Sequence, residues 1–198
     1  MNTITGISTS EYIINKSKFI SIASVVKCES DADDLIKSIS QKYPDSNHVV
    51  FAYRLTNGVY RFSDNGEPKN SAGKPVLNIL EKNSLYNVLL AVVRYFGGIK
   101  LGVGGLARAY SHTASLALNM QQITPLILSN RIKIVCTYEN HSFIKNLIKS
   151  QNGYIESEEF SDNVAINIVV PVSVCDEMIN NYYVLNGTIL EENIYYAY

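Results

Sequence analysis

Apolar and polar residues along this chain alternate between a period of two and a period near 3.6, and the switches mark out its elements. Residues 20–26 alternate around Ile20, Ile22 and Val26, the pattern of a half-buried strand. Ser30 predicts a helix N-cap. Asp31, Asp33 and Asp34 fall in the first turn, where the helix dipole favours anions, and Ala32, Leu35, Ile36, Ile39 and Tyr43 share one face. Residues 48–55 read as a strand, Asn57-Gly58 as a two-residue hairpin turn and 59–63 as the returning strand. Pro75 can open a short helix through Val76, Leu77, Ile79 and Leu80, because a first-turn proline loses no needed hydrogen bond. Residues 85–93 are almost wholly apolar, which predicts a strand buried on both faces. A long helix over 104–122 follows, with Leu106, Ala109, Tyr110, Ala114, Ala117, Leu118 and Gln121 on its stripe.

Pro125 is read as the break after that helix, with a new strand beginning near Leu128. The expected domains are therefore 1–127 and 128–198. The second part reads β-α-β-β-α-β: a strand at 131–137, then a helix with Phe143, Ile144, Leu147 and Ile148 on one face. Gly153 is its stop, strands follow at 154–160 and 164–170 around the turn Ser161-Asp162-Asn163, and Ser173 opens a helix burying Met178, Ile179 and Tyr182. A final strand covers 188–196. That order is the ferredoxin-like split β-α-β, so the fold class is α+β.

Composition narrows the class. Of 198 residues, 46% are hydrophobic and 18% charged, enough apolar material for packed cores rather than wholesale disorder. No apolar run reaches the roughly 18 residues of a membrane span, and the first residues lack the basic, apolar pattern of a signal peptide. A cytoplasmic location is expected. Cys28, Cys136 and Cys175 lie far apart and form no C-x-x-C, so they read as small buried hydrophobes rather than a disulfide or zinc framework. The net charge of −1 conceals an asymmetry: residues 1–128 carry 13 Lys+Arg against 9 Asp+Glu, whereas 129–198 carry 4 against 9. A basic front and an acidic back suggest units with different partners, although two such halves could equally attract each other. The 14 tyrosines could stack on bases, but Tyr182, Tyr183, Tyr195, Tyr196 and Tyr198 lie in the acidic part and read as packing residues.

Two segments could carry chemistry. In 94–110, RYFGGIKLGVGGLARAY, five of the chain's 11 glycines fall between positions 97 and 105. Gly97, Gly98, Gly102, Gly104 and Gly105 link a buried strand to a helix N-terminus, with Arg94, Lys100 and Arg108 around them. Glycine lets amides point the same way and lets a ligand approach, so the segment reads as an anion cradle. The competing reading is a glycine bend that packs strand against helix. No Gly-Lys-Ser/Thr follows, which excludes a Walker A loop. The G-x-G-x-x-A match at 102–107 lacks a downstream acid, so no nicotinamide or other cofactor is expected. In 61–75, Asp64 and Glu67 stand three apart in a turn. They could hold Mg²⁺ or serve as acid and base, or simply shape the turn, the favoured reading, and no metal site is assigned. Lys74 adds a basic group at the following helix start. His48 opens a strand and, with Asp64 and Glu67, completes the set of catalytic candidates. His112 and His141 lie apart, and no nucleophile signature accompanies any histidine.

The segment 94–110, the run Asp64-x-Gly66-Glu67-Pro68 followed by Ala72-Gly73-Lys74-Pro75-x-Leu77, and the earlier Lys16-Ser17-Lys18-Phe19-Ile20 and His48…Ala52-Tyr53 closely resemble the signatures of the YigZ/Impact family. Asn65 stands where the family pattern has a second Asp, and Lys69, Asn70 and Ser71 stand where it has small residues and Thr. The resemblance implies a front domain like the second domain of ribosomal protein S-five, and a back domain like the last domain of the translocation elongation factor. It also implies a tie to translation, since eukaryotic Impact relatives regulate initiation through a stress kinase and its co-activator. The expected function is a translation-associated binding module gripping RNA, a ribosome-associated partner or another phosphate-bearing ligand, with no membrane partner. The rival is an enzyme acting on a small phosphorylated substrate in a cleft lined by His48, Asp64, Glu67 and the glycine loop. A third reading is a protein-interaction adaptor in which the glycines are purely structural.

Overall fold

The computed structural model of the chain describes residues 1–173 and 192–197. Two compact units divide the chain, Met1–Pro125 and Leu126–Tyr198.

The first unit is built on a five-stranded antiparallel sheet of β2 (Ile7–Ile14), β3 (Ser17–Val25), β6 (Val88–Tyr95), β4 (His48–Arg54) and β5 (Tyr60–Ser63), in that spatial order. The unbroken apolar run in β6 has a simple cause. Leu89, Ala91 and Val93 pack in the core on the side of α1 (Glu29–Lys42), while Val88, Leu90 and Val92 pack in the core on the side of α2 (Gly73–Lys82) and α3 (Gly102–Asn119). A short strand β1 (Asn2–Ile4) pairs with residues 123–125 at the start of β7 (Ile123–Cys136).

Several sequence expectations are corrected here. Strand β2 escapes the amphipathic pattern because it is inverted. Ile7 and Ile13 face out, while buried Ser8 donates to the Ala117 carbonyl at 2.8 Å and Ser10 meets Ser21 at 2.9 Å. Helix α1 begins at Glu29 with Cys28 as N-cap, not Ser30, and Cys28 is exposed rather than a buried hydrophobe. The Asp31 carboxylate accepts the Lys27 amide at 2.8 Å, and that bond holds its pKa below the usual carboxylate range. In the Asn57-Gly58 turn only Gly58 takes a left-handed φ. Pro125 breaks no helix: α3 ends at Asn119, and Pro125 lies within β7 opposite Asn2.

In the second unit the sheet runs β10 (Glu192–Ala197), β7, β9 (Val164–Pro171), β8 (Tyr154–Phe160), antiparallel throughout. This is the fourth-first-third-second order of a ferredoxin-like fold. Helix α4 (Tyr138–Ser150) buries Ile144 and Ile148 against Ile132, Ile134, Ile166 and Ile168, whereas Phe143 is exposed. Asn152, not Gly153, supplies the left-handed residue that ends α4. Gly153 donates to the Ile148 carbonyl at 2.8 Å, and a Cβ there would sit 2.7 Å from the Ile148 side chain, so close packing demands the glycine. The expected burial of Met178, Ile179 and Tyr182, and Cys175, lie outside the described residues, as do the side chains of Tyr182, Tyr183, Tyr195, Tyr196 and Tyr198. Among the described residues no helix is long and apolar enough to cross a membrane.

Candidate functional site

The two carboxylates of the 61–75 segment have separate tasks. Asn65 and Gly66, both at positive φ, turn the chain sharply after β5. That turn aims Asp64 at the start of α2. One carboxylate oxygen accepts the amides of Ala72 at 3.0 Å and Gly73 at 2.8 Å, and the other accepts the Asn70 amide at 2.7 Å. Asp64 therefore caps α2 from a distance, with its charge at the positive end of the helix.

Glu67 points inward. Its side chain is 4% exposed, and one oxygen accepts both an Arg94 guanidinium N–H at 2.5 Å and the Tyr110 hydroxyl at 2.7 Å. Arg94 reaches it from β6, where register places it between Phe19 on one side and His48 on the other. The guanidinium carbon lies 5.4 Å from the ring centroids of both Phe19 and Phe96, a cation–π sandwich. Tyr110 comes from α3 and meets Phe19 edge to face. Burial, reinforced by the Glu67 charge, pushes the Tyr110 phenol far above its ordinary pKa, so it is a fixed donor. Arg94 Nε is buried without a hydrogen-bond partner among the described residues. His48 completes the cluster: its Nε2 is 3.8 Å from the same Glu67 oxygen and its Nδ1 is 2.7 Å from the Asn65 carbonyl. A carbonyl can only accept, so Nδ1 donates to it and Nε2 faces Glu67. The Asn65 side chain accepts the Val49 amide at 2.7 Å and fixes the turn to β4.

The sequence candidates His48, Glu67 and Arg94 thus converge, and Asp64 lies next to them but turned onto α2. Arg94, expected in the anion cradle, has its guanidinium paired with Glu67 inside the unit. Lys74 likewise stands 3.6 Å from Glu81. Lys100 and Arg108 make no ion pair among the described residues.

The glycines also divide. Gly97 is a packing residue, since a Cβ would overlap the backbone of Lys16 and Ser17, and its amide donates to the Ser17 hydroxyl at 3.1 Å. Gly98 and Gly102 have φ of +82° and +69° with open space around them. Gly104 and Gly105 are helical; at Gly104 a Cβ would meet only the Arg108 guanidinium, at 3.7 Å. The loop leaves Phe96, Ile99 and Val103 exposed at 46%, 44% and 60%. Sequence reasoning missed the roles of Tyr110, Phe19 and Asn65. Tyr110 carried a signal as a phenol on the apolar stripe of α3. Among the described residues no group of three or more His, Cys, Asp or Glu is placed to hold a metal.

The model of the Impact N-terminal domain matches residues 15–118, which include every member of the cluster and the loop. The chain belongs to the Impact family. A second model, a domain of unknown function (DUF1949), matches residues 134–180. The chain is similar to the IMPACT family member YvyE of Bacillus subtilis, 33% identical over 162 residues that cover 81% of this chain and 75% of that one. It is similar to the IMPACT family member YigZ of Escherichia coli, 30% identical over 167 residues covering 81% and 80%. A crystal structure titled only as a hypothetical protein superposes with a TM-score of 0.66 at 27% identity, covering 98% of this chain and 96% of the other. The matched segment therefore holds two kinds of residue: an inner set around Glu67 and an outer set on the glycine loop.

Proposed function

We propose that this Impact-family chain is a cytosolic, translation-associated module that binds RNA through the loop between β6 and α3. The supporting observation is the company kept in one segment: Lys100, without an ion pair among the described residues, lies in a loop with exposed Phe96 and Ile99, followed by exposed Val103 and Arg108 on the adjoining helix, and Gly98 and Gly102 have open space around them. Cations supply phosphate attraction, and exposed apolar side chains give bases a surface to lie on. The acidic second unit repels phosphate and sets orientation rather than affinity. The tie to translation comes from the Impact relatives of eukaryotes. Lys100→Ala is expected to weaken binding of a short RNA and lower the slope of log affinity against log salt by about one, with the melting temperature unchanged. Unchanged affinity and slope would sink the reading and leave the loop as a packing bend.

A second reading, an enzyme acting on a small phosphorylated substrate, draws on His48. Its Nδ1–H donates to the Asn65 carbonyl, which turns Nε2 toward Glu67 in a cluster that also holds Arg94, and an imidazole held this way can exchange a proton with a substrate. Turnover of a phosphorylated small molecule by the parent, lost in His48→Asn with the fold intact, would favour it. Turnover that survives in His48→Asn would reject it.

A further inference from the structure

A groove opens in the first unit between the end of β2, α2 and α3, on the flank of α3 away from Glu67. Its walls are Tyr12 and Asn15, Asn78, and Leu101, Arg108 and His112. Tyr12 and His112 meet edge to face with centroids 4.6 Å apart. The side chains of Asn15, Asn78 and Arg108 make no hydrogen bond or ion pair with any described residue, and no carboxylate lines the groove.

We propose that this groove seats one nucleotide of a single-stranded RNA, its phosphate on Arg108 and its base against the Tyr12–His112 edge. The inference rests on the RNA reading above and adds the strandedness of the ligand and a second contact surface. Three features support it. The guanidinium lies beside the first turn of α3, at Gly104, where a helix N-terminus favours an anion. Two free carboxamides can meet donors and acceptors on a base edge, as unpaired bases require. The apolar floor and aromatic edge suit a base and would be idle beneath a bare phosphate. A base paired in an A-form duplex is closed off from such a groove, so the preference is for single strands.

The test uses the full chain with fluorescent octamers of single-stranded RNA, a duplex of the same length, AMP and inorganic phosphate, against the parent, His112→Ala, Asn78→Ala and Lys100→Ala. The parent is expected to favour the single strand over the duplex at least about tenfold. His112→Ala should weaken the single strand by about fivefold or more, the loss expected for one stacked base, with duplex binding and melting temperature unmoved. Asn78→Ala should weaken it less, and AMP should bind better than phosphate. If Lys100→Ala weakens RNA while His112→Ala and Asn78→Ala do not, the loop reading stands and the groove inference is overturned. If the parent binds duplex as well as single strands, or binds phosphate as well as AMP, the inference is also overturned. If no RNA binds, both fall.

Discussion

Each unit contains a glutamate facing a histidine and a fixed cation, and the two clusters behave differently. Glu67 has Arg94 at 2.5 Å and His48 at 3.8 Å; Glu158 has His141 at 2.6 Å and Lys145 at 3.1 Å. The Glu67 cluster gathers its members from four places: the β5–α2 turn, β4, β6 and α3. The Glu158 cluster needs only β8 and two residues one turn apart on α4. The Glu67 side chain is 4% exposed and that of Glu158 is 23% exposed. A glutamate, a histidine and a basic side chain thus form the internal tie of one unit and a surface cluster of the other. A buried pair that loses one partner strands a desolvated charge, whereas a surface pair returns to water.

The largest expected effect follows directly. Arg94→Ala leaves Glu67 buried against Tyr110 with no fixed cation, and should cost about 3–5 kcal/mol, read as a large drop in the melting temperature of the first unit. A loss under about 1 kcal/mol would mean the cluster is solvated and the contrast with Glu158 is false. Asp64→Ala removes the acceptor of three amides at the start of α2 and should cost about 2 kcal/mol in denaturant unfolding, with no effect on the second unit. Glu158→Gln should cost under about 1 kcal/mol. The hydrogen bond from His141, then that from Lys145, holds the Glu158 carboxyl below the usual carboxylate range. Its contribution is therefore present above the unfolded pKa of about 4.3 and lost as the pH falls through the lower folded value. Melting curves of parent and Glu158→Gln should differ near neutrality and converge at low pH. Divergence on acidification would reverse the sign of the linkage.

The contrast also explains what the sequence made legible. Periodicity exposes elements whose apolar side faces a core, so α1, β4, β6, α3 and most of the second unit were readable. It failed at β2, where Ser8 bonds α3 and Ser10 bonds β3 while Ile7 and Ile13 face out, and at Pro125, which sits in a strand. The motif residues announced themselves by type and spacing, but the partner each would choose depended on tertiary closeness. Asp64 and Glu67 stand three residues apart in sequence, yet one spends its charge on α2 amides and the other on Arg94 and Tyr110. Nothing local in the sequence distinguishes Gly97, wedged on the backbone of Lys16, from Gly98 with open space before it. The groove residues Asn15, Asn78 and His112 carried no motif and came together only through the fold.

If Glu67, Arg94 and Tyr110 hold the first unit together while the loop between β6 and α3 binds RNA, one measurement separates the two sets: backbone amide shifts of the full chain, followed through a titration with a short single-stranded RNA. Progressive shifts are expected at Gly98, Lys100, Gly102 and Arg108, damped by added salt, with Ser157, Glu158 and Lys145 unmoved. Shifts centred on β8 and α4, or a silent segment from 98 to 108 under saturating RNA, would overturn the RNA reading.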